Sequence, residues 1–288
     1  ALHFRMGPFE LLDLTGLDVS VEVTRQVWKG FGEEPRFALA AVAESRVSAG
    51  LLGRKSGRGF YEYGGEGRMR LPRDEGRRDP SISADPEPVR VRLVGMAPDL
   101  ADGVRALFPK ACVASDDDAV AVVGPVGSDV ATEVRRLGLD PRRSVGVDPV
   151  FTDVVTLAGA PGTKADIVAG VAASIRAGGR GAVVVRDGKG MPAQRIAAMI
   201  VLIAADAAGR GLAAPADIDA AARLALAYPL GPLELGDRVG ARRISAIASG
   251  LHALTGEARW RRSGWLEARA GRMQRLADPS TETAAAPI

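Results

Sequence analysis

The sequence predicts a mixed α and α/β fold, in which two helical regions flank a central α/β region. Between residues 88 and 188, short runs of β-branched residues alternate with helical stretches, which is typical of a mostly parallel sheet. Apolar residues recur at helical spacing in both flanks: Val19, Val23, Val27 and Phe31 in the first, and Ile244, Ile247, Leu251 and Leu254 in the second. Both flanks are therefore predicted to be helical.

Changes in composition divide the chain into five parts. Residues 64–87 are rich in Gly, Pro, Arg and Asp and contain almost no large apolar residue, which is typical of a linker. The last residues are low in complexity and are predicted to fray. We therefore predict a first helical domain at 1–63, a linker at 64–87, an α/β domain at 88–188, a second helical domain at 189–272 and a flexible tail at 273–288.

The central region supplies four predicted strands and three predicted helices. The strands are Val89–Val94, Ala119–Val123, Val154–Leu157 and Ala182–Val185. The helices are Leu100–Phe108, Asp129–Leu137 and Lys164–Ala177. Helices of this length between strands predict a mostly parallel, doubly wound sheet.

A ten-residue segment of the first flank recurs in the second. Gly7–Gly16 and Gly231–Gly240 share Gly, Pro, Glu, Leu, Asp and Gly at the same places. A Gly-Pro step suits a helix start, because the fixed φ of proline fits the first turn and its missing N–H would be unpaired there. Glu, Arg and an aromatic residue recur further on, at 34–37 and 257–260. Two matches in the same order indicate a divergent tandem repeat.

Composition narrows the classes of function. The 38 basic and 35 acidic residues nearly balance, and an aromatic content of 5% leaves little for base stacking, so nucleic acid is not a predicted partner. The single cysteine, Cys112, cannot form an internal disulfide, and His3 and His252 make no metal-ligand spacing with it. No apolar run reaches the roughly 20 residues that span a bilayer. The composition predicts a cytoplasmic protein without a metal site or a membrane anchor.

Three spaced motifs in the first flank resemble the C-terminal domain of 3-hydroxyacyl-CoA dehydrogenases. They are Met6–Val19, Glu34–Phe37 and Gly53–Tyr61, in the order found in the family. The second flank, Lys189–Arg272, is similar to the second copy of that domain in bacterial members acting on 3-hydroxybutyryl-CoA and 3-hydroxyadipyl-CoA. The resemblance implies two all-α domains of the 6-phosphogluconate-dehydrogenase C-terminal type, flanking a degenerate Rossmann-like α/β domain.

The resemblance also implies an NAD-dependent oxidoreductase that converts an L-3-hydroxyacyl-CoA to the 3-oxoacyl-CoA in fatty-acid or aromatic-acid β-oxidation. In the family, NAD and the catalytic histidine and glutamate belong to an amino-terminal domain. This sequence has no Gly-x-Gly-x-x-Gly turn, and the nearest candidate, Gly95–Leu100, holds one glycine, a proline and an aspartate. His252 lies in a helical stripe, and His3 lies four residues before Gly7. We predict no catalytic or cofactor-binding residue in this chain, and NAD binding only in the complete enzyme.

Three residues are predicted to contact an acyl-CoA substrate. Lys55 and Ser56 lie in a glycine-rich loop, where a lysine and free backbone amides suit a CoA phosphate, although a plain turn that closes the domain is the alternative. Gln194 takes the place of a family asparagine near the start of the long first helix, one methylene further out. The alternative for Gln194 is that the second copy kept its packing and lost its substrate chemistry.

The repeat predicts that the first copy is incomplete. If the second copy begins near Gly190, the matching start of the first falls about 34 residues before Ala1, so its leading helix would be absent. We expect the helical domains to cover the acyl chain and to supply an association surface, either for a homodimer or for the missing NAD-binding domain.

Two other functions stay open on the sequence. The absent glycine-rich turn and catalytic histidine also suit a noncatalytic acyl-CoA-binding or assembly protein descended from such an enzyme. The central α/β domain by itself would also suit a nucleotide-binding regulator.

Overall fold

The chain forms two compact units. The computed structural model describes residues 2–64, 69–70 and 86–279. The small unit is Phe4–Arg78, and the large unit is Ala1–His3 together with Asp79–Ile288. Most of the linker predicted at 64–87 lies outside the described residues.

The described part of the small unit contains three α-helices and a pair of short strands. The helices are α1 (Pro8–Thr15), α2 (Leu17–Gly30) and α3 (Ala41–Ser48). Strand β1 (Glu62–Tyr63) pairs antiparallel with β2 (Met69–Arg70). This pair of strands thus reaches into the predicted linker.

Helix α2 has two apolar sides, of which one is buried and the other is exposed. Leu17 and Val21 are buried, whereas Val23 and Val27 are exposed. The predicted period of four residues is therefore present, but the stripe that carries it faces solvent.

The large unit contains a five-stranded sheet. Its strands are β3 (Val91–Val94), β4 (Val120–Val123), β5 (Ser144–Val147), β6 (Val154–Gly159) and β7 (Gly181–Val184). They lie side by side in chain order, and every neighbouring pair is parallel except β5 and β6. The four predicted strands and the mostly parallel sheet are confirmed, while β5 was not predicted.

Helices cover both faces of this sheet. They are α4 (Pro98–Arg105), α5 (Val130–Arg136) and α6 (Ala165–Ala177), as the sequence predicted within a few residues. Because side chains alternate along a strand, Val122 and Val123 point to opposite faces. Val122 belongs to an apolar cluster with residues of α4 and α6, and Val123 belongs to another with residues of α5.

Five helices complete the large unit. They are α7 (Pro192–Gly209), α8 (Pro215–Leu226), α9 (Pro232–Val239), α10 (Ala241–Thr255) and α11 (Gly264–Arg272). Helix α7 packs against the other four, and its buried face is made mostly of small residues. Among the described residues, α7 is the one helix long and apolar enough to cross a membrane by length and composition. Half of that helix is buried within the helical core, as expected for a core helix.

The second helical region extends beyond its predicted end at residue 272. Leu276 is fully buried in the same core as α7, so this core continues past residue 272 into the segment predicted to be a flexible tail. Residues 280–288 lie outside the described part of the chain. The end of this region is difficult to predict from the sequence, because Leu276 is the single large apolar residue that marks it.

Candidate functional site

The glycine-rich loop with Lys55 and Ser56 is a short 3-10 turn spanning Arg54–Ser56. Lys55 Nζ lies 2.5 Å from Asp18 Oδ1, and this partner lowers the pKa of the Asp18 carboxyl. Both side chains are partly exposed, so water weakens this ion pair. The ammonium group sits at the surface beside a carboxylate, and a phosphate would have to displace that carboxylate.

Ser56 holds the loop together. Its hydroxyl accepts a hydrogen bond from the backbone N–H of Leu52 at 2.9 Å and donates to the carbonyl of Arg58 at 2.8 Å. Both partners are backbone groups of the same loop. The geometry therefore gives Ser56 a structural role in the turn.

Gln194 is buried where α7 meets the sheet. Its amide NH₂ donates to the carbonyl of Pro125 at 2.9 Å and to Asp148 Oδ1 at 3.0 Å, and its Oε1 accepts from the N–H of Gly127 at 3.0 Å. Each hydrogen of the amide group thus has a partner within the protein. The structure brings Gln194 together with Asp148, whereas Lys55 belongs to the other unit.

Asp148 is the buried carboxyl of this joint. Its Oδ1 also accepts from the backbone N–H groups of Val150 and Phe151, at 2.9 and 3.2 Å. Its Oδ2 is buried without a hydrogen-bond partner among the described residues. Burial raises the pKa of Asp148. This effect is larger than that of the hydrogen bonds from Gln194, Val150 and Phe151, which lower the pKa. Asp148 was not identified from the sequence, because strand β5, which it directly follows, was not predicted.

The loop after β4 passes very close to α10. Gly127 has φ +64°, and a Cβ there would lie 2.6 Å from the carbonyl oxygen of Ile247. A Cβ on Gly250 would lie 2.5 Å from the carbonyl oxygen of Gly127. Two glycines thus allow backbone to approach backbone, and Gln194 fastens this contact from the α7 side.

Two aspartates, Asp13 fully buried and Asp237 partly buried, occupy matching positions in the repeated segments. Asp13 accepts from the backbone N–H groups of Phe60 and Tyr61, both at 2.9 Å, and from the Tyr63 hydroxyl at 3.0 Å. Asp237, its counterpart in the second copy, accepts from the N–H groups of Leu276 and Ala277, at 2.5 and 3.1 Å. In both copies the aspartate binds the segment that follows the last helix. We call this arrangement the aspartate clamp.

An arginine assists the aspartate clamp in each copy. Arg46 on α3 donates to the carbonyl of Gly59 at 2.7 Å, and Arg269 on α11 donates to the carbonyl of Arg275 at 2.6 Å. The two arginines are separated along the chain by the same interval as Glu34 and Glu257, which match in this part of the repeat. The Asp13–Asp237 match was visible in the sequence, but its partners were not.

Backbone geometry repeats as well. The prediction that both Gly-Pro steps start a helix is confirmed, because α1 begins at Pro8 and α9 at Pro232, and both helices have eight residues. Gly16 and Gly240 follow these helices with φ and ψ of 91° and 124°, and of 97° and 124°. These positive φ values favour glycine, and they set the same turn into α2 and α10.

The turn after β3 does not fit a dinucleotide. A Cβ on Gly95 would lie 2.7 Å from the Leu137 side chain, so the space beside this turn is filled. Helix α4 starts with Pro98, which has no N–H to offer a phosphate. Asp99 in the first turn carries a negative charge and forms an ion pair with Arg243 at 2.5 Å.

Neither histidine forms a catalytic arrangement with the predicted site residues. His3 Nε2 lies 2.8 Å from Asp153 Oδ2 at the surface, and His252 Nδ1 lies 3.0 Å from the carbonyl of Glu257. Across the described ranges, no group of three or more His, Cys, Asp and Glu residues is placed to hold a metal ion.

Comparison with protein families bears directly on the repeat. The model of the 3-hydroxyacyl-CoA dehydrogenase C-terminal domain matches residues 1–63 and 190–280, together more than half of the chain. One family model thus matches both flanks, as the repeat predicts.

Curated relatives carry names of the same kind. The 3-hydroxyadipyl-CoA dehydrogenase of Escherichia coli (strain K12) is 32% identical over 267 residues, which are 93% of this chain and 51% of that protein. A probable 3-hydroxybutyryl-CoA dehydrogenase of Deinococcus radiodurans is 41% identical over 62 residues, 22% of each protein.

Among solved structures, the crystal structure of 3-hydroxybutyryl-CoA dehydrogenase from Escherichia coli K12 superimposes with a TM-score of 0.71 at 28% identity. The match covers 94% of this chain and 52% of that one. The chain therefore spans about half the length of the relatives that match most of it. On the family match to both flanks, this chain belongs to the 3-hydroxyacyl-CoA dehydrogenase family.

Proposed function

We propose that this chain is the C-terminal module of an NAD-dependent 3-hydroxyacyl-CoA dehydrogenase. The complete enzyme would oxidise an L-3-hydroxyacyl-CoA to the 3-oxoacyl-CoA in β-oxidation of fatty or aromatic acids, in the cytoplasm. The module would supply part of the acyl-CoA pocket and an association surface. The observation that carries this proposal is the match of one C-terminal domain model to both flanks, with the aspartate clamp present in each.

The same proposal assigns the finer architecture. Two helical domains of the 6-phosphogluconate-dehydrogenase C-terminal type, at 1–63 and 189–272, would flank a degenerate Rossmann-like domain at 88–188. The equal lengths of α1 and α9 and the shared glycine geometry support the first part. The mostly parallel sheet with helices on both faces supports the second.

NAD would bind the complete enzyme and not the α/β region of this chain. The turn after β3 offers one glycine, a helix start without an N–H at Pro98, and a carboxylate at Asp99. A pyrophosphate needs close backbone approach and positive charge at that place, so these residues do not fit it. No step of hydride transfer is assigned to residues of this chain.

We further propose that the Arg54–Ser56 turn holds a CoA phosphate through Lys55, with Ser56 shaping the turn. Its lysine is partly exposed, and its present partner, Asp18, is also at the surface. Gln194 would act as a structural joint, because its amide is fully engaged with Pro125, Gly127 and Asp148.

Titration of the purified chain with coenzyme A, followed by isothermal calorimetry, tests this assignment. Lys55→Ala should weaken binding about tenfold, since a hydrogen bond to a charged group is lost. Asp18→Asn should strengthen binding, because it removes the carboxylate that competes for Lys55. Lys29→Ala, an exposed lysine on α2, is the matched control and should bind like the unchanged chain.

The same samples test the catalytic part of the proposal. We expect no reduction of NAD with 3-hydroxybutyryl-CoA, because the turn after β3 does not fit the cofactor and, among the described residues, neither histidine forms a hydrogen bond with Lys55, Ser56 or Gln194. Turnover by this chain would contradict the proposal. Equal coenzyme A binding by all three variants would contradict only the assignment of Lys55 as the phosphate ligand, and not the rest of the proposal.

A noncatalytic acyl-CoA-binding or assembly protein is the second candidate. The observation in its favour is that Gln194 and Asp148 are buried and bonded to each other, where a substrate would need free polar groups. A chimera that carries this chain in place of the matched half of the Escherichia coli 3-hydroxyadipyl-CoA dehydrogenase separates the two. Activity would favour the module, and a folded, inactive chimera with coenzyme A binding would favour the second candidate.

A further inference from the structure

The small unit carries an apolar face that no described residue covers. Phe9 on α1 and Val23 and Val27 on α2 are 48%, 57% and 39% exposed. Phe9 stacks on Phe60, with ring centroids 4.3 Å apart, and this contact fixes one end of the surface. We call Phe9, Val23 and Val27 the open face.

The second copy of the repeat shows what covers the same positions. The counterparts of the open face, at the offset that relates Gly7–Gly16 to Gly231–Gly240, are Leu233, Ile247 and Leu251, and each is 0% exposed. All three belong to the apolar core that contains the buried side of α7. The described part of the small unit has no helix that corresponds to α7.

Arg25, a charged residue on the helix that carries Val23 and Val27, is already paired. Arg25 on α2 contacts Glu22 at 2.5 Å and Glu44 at 3.1 Å. Glu22 lies on α2 and Glu44 lies on α3. The open face itself consists of uncharged side chains, so an uncharged helix surface complements it best.

Helix α7 has such a surface. Its buried side is made largely of small residues: Ala193, Ala197, Ala198, Val201, Ala204 and Ala205. Small side chains allow helices to approach closely. One position differs between the copies, because Gly236, which faces Val201, corresponds to Leu12 in the small unit. A helix on the open face needs a smaller residue than valine there.

We propose that the open face binds an apolar α-helix of the α7 type, contributed by a polypeptide segment outside this chain. The partner helix is about five turns long, presents alanine and other small residues to Val23 and Val27, and places no charge at the contact. The relatives that match most of this chain are about twice its length, so they contain further polypeptide from which such a helix can come. This inference rests on the repeat and does not depend on the proposed enzymatic function.

A fluorescently labelled peptide tests the proposal with the full chain. The peptide has the sequence of residues 190–212, with Ile196→Lys and Ile203→Lys on its exposed side for solubility and Val201→Ala to suit Leu12. A second peptide carries Ala197→Glu in addition. Fluorescence anisotropy measures binding, and hydrogen exchange of α2 locates it.

The first peptide should bind and slow amide exchange in α2, and the Ala197→Glu peptide should not. Val23→Glu in the chain should weaken binding more than tenfold, because it puts a charge into an apolar contact. Val23 is more than half exposed, so this change leaves folding intact. Leu224→Glu on α8, 87% exposed in the large unit, is the matched control and should bind normally.

Three results would overturn the proposal. The first is equal binding by the chain and its Val23→Glu variant, which would place the peptide elsewhere. The second is a dimer of the unmodified chain that Val23→Glu converts to a monomer, which would make a second copy the occupant. The third is protection of α2 without any peptide to the level of α10, which would show that the open face is already covered.

Discussion

Buried carboxylates tie distant parts of this chain together. Asp219 accepts from the backbone N–H groups of Leu233 and Glu234 at the start of α9, at 2.7 and 3.0 Å. A carboxylate at that place satisfies orphan donors and complements the helix dipole. Asp13 and Asp237 likewise accept hydrogen bonds from backbone N–H groups, but of a chain segment that follows the last helix of each copy. A charged acceptor forms stronger hydrogen bonds than a neutral one, so one residue can hold two amides.

Asp148 differs from these residues, because one of its oxygens has no partner in the described structure. Burial raises its pKa in the folded state above the value in the unfolded chain. The stability that this group contributes is therefore complete below the unfolded pKa and is lost as the pH rises through the folded pKa. Each pKa unit of that rise corresponds to about 1.4 kcal/mol.

We predict that Asp148→Asn removes this pH dependence. Relative to the unmodified chain, the free energy of unfolding of the variant should increase as the pH rises above the unfolded pKa of Asp148, because an amide never has to ionise in the buried site. Urea unfolding followed by tryptophan fluorescence measures the difference. Asp217→Asn, an exposed carboxyl on α8, is the matched control. Parallel pH curves for the chain and Asp148→Asn would show that Asp148 stays ionised.

At the scale of elements, local patterns predicted most helices and strands. The Gly-Pro steps gave the starts of α1 and α9, and β-branched runs gave four of the five strands. Strand β5 was missed because Ser144 and Gly146 dilute its valines. Gln194 was expected to meet substrate, but its partners lie 46 to 69 residues away along the chain. Contacts of that range depend on the whole fold, and a local pattern does not contain them.

The aspartate clamp is the element-scale feature that both copies share, and it makes a paired prediction. Asp13→Ala and Asp237→Ala should each lower the free energy of unfolding by about 2–3 kcal/mol, since two backbone N–H groups lose a charged acceptor in each variant. Hydrogen exchange should quicken at 58–63 in the first variant and at 274–279 in the second.

Asp278→Ala is the control for these variants, because Asp278 follows the clamped segment and is exposed. It should leave both stability and exchange unchanged. If Asp13→Ala and Asp237→Ala affect exchange in different places from those named, the two aspartates do not perform the same task.

On the scale of the whole molecule, the two copies of the repeat bury equivalent positions to different extents. In the large unit, α7 lies at the centre of the helical core and buries Ile247 and Leu251 completely. In the small unit, Val23 and Val27 occupy the same positions and are exposed. A half-exposed valine forfeits about 1 kcal/mol of the free energy gained by full burial. Because proteins are stable by only about 5–15 kcal/mol, a few such residues separate the stabilities of the two copies.

We therefore predict that amide hydrogen exchange is faster across residues 9–61 than across residues 193–267 in the chain alone. A matched pair of substitutions separates this cause from others. Val23→Glu should leave exchange at 9–61 nearly unchanged, because that side chain is already in water. Ile247→Glu should accelerate exchange throughout 193–267, because it buries a charge in the core around α7. Equally slow exchange in both copies at high dilution, or unfolding of the small unit by Val23→Glu, would mean that the first copy completes its core without a helix of the α7 type.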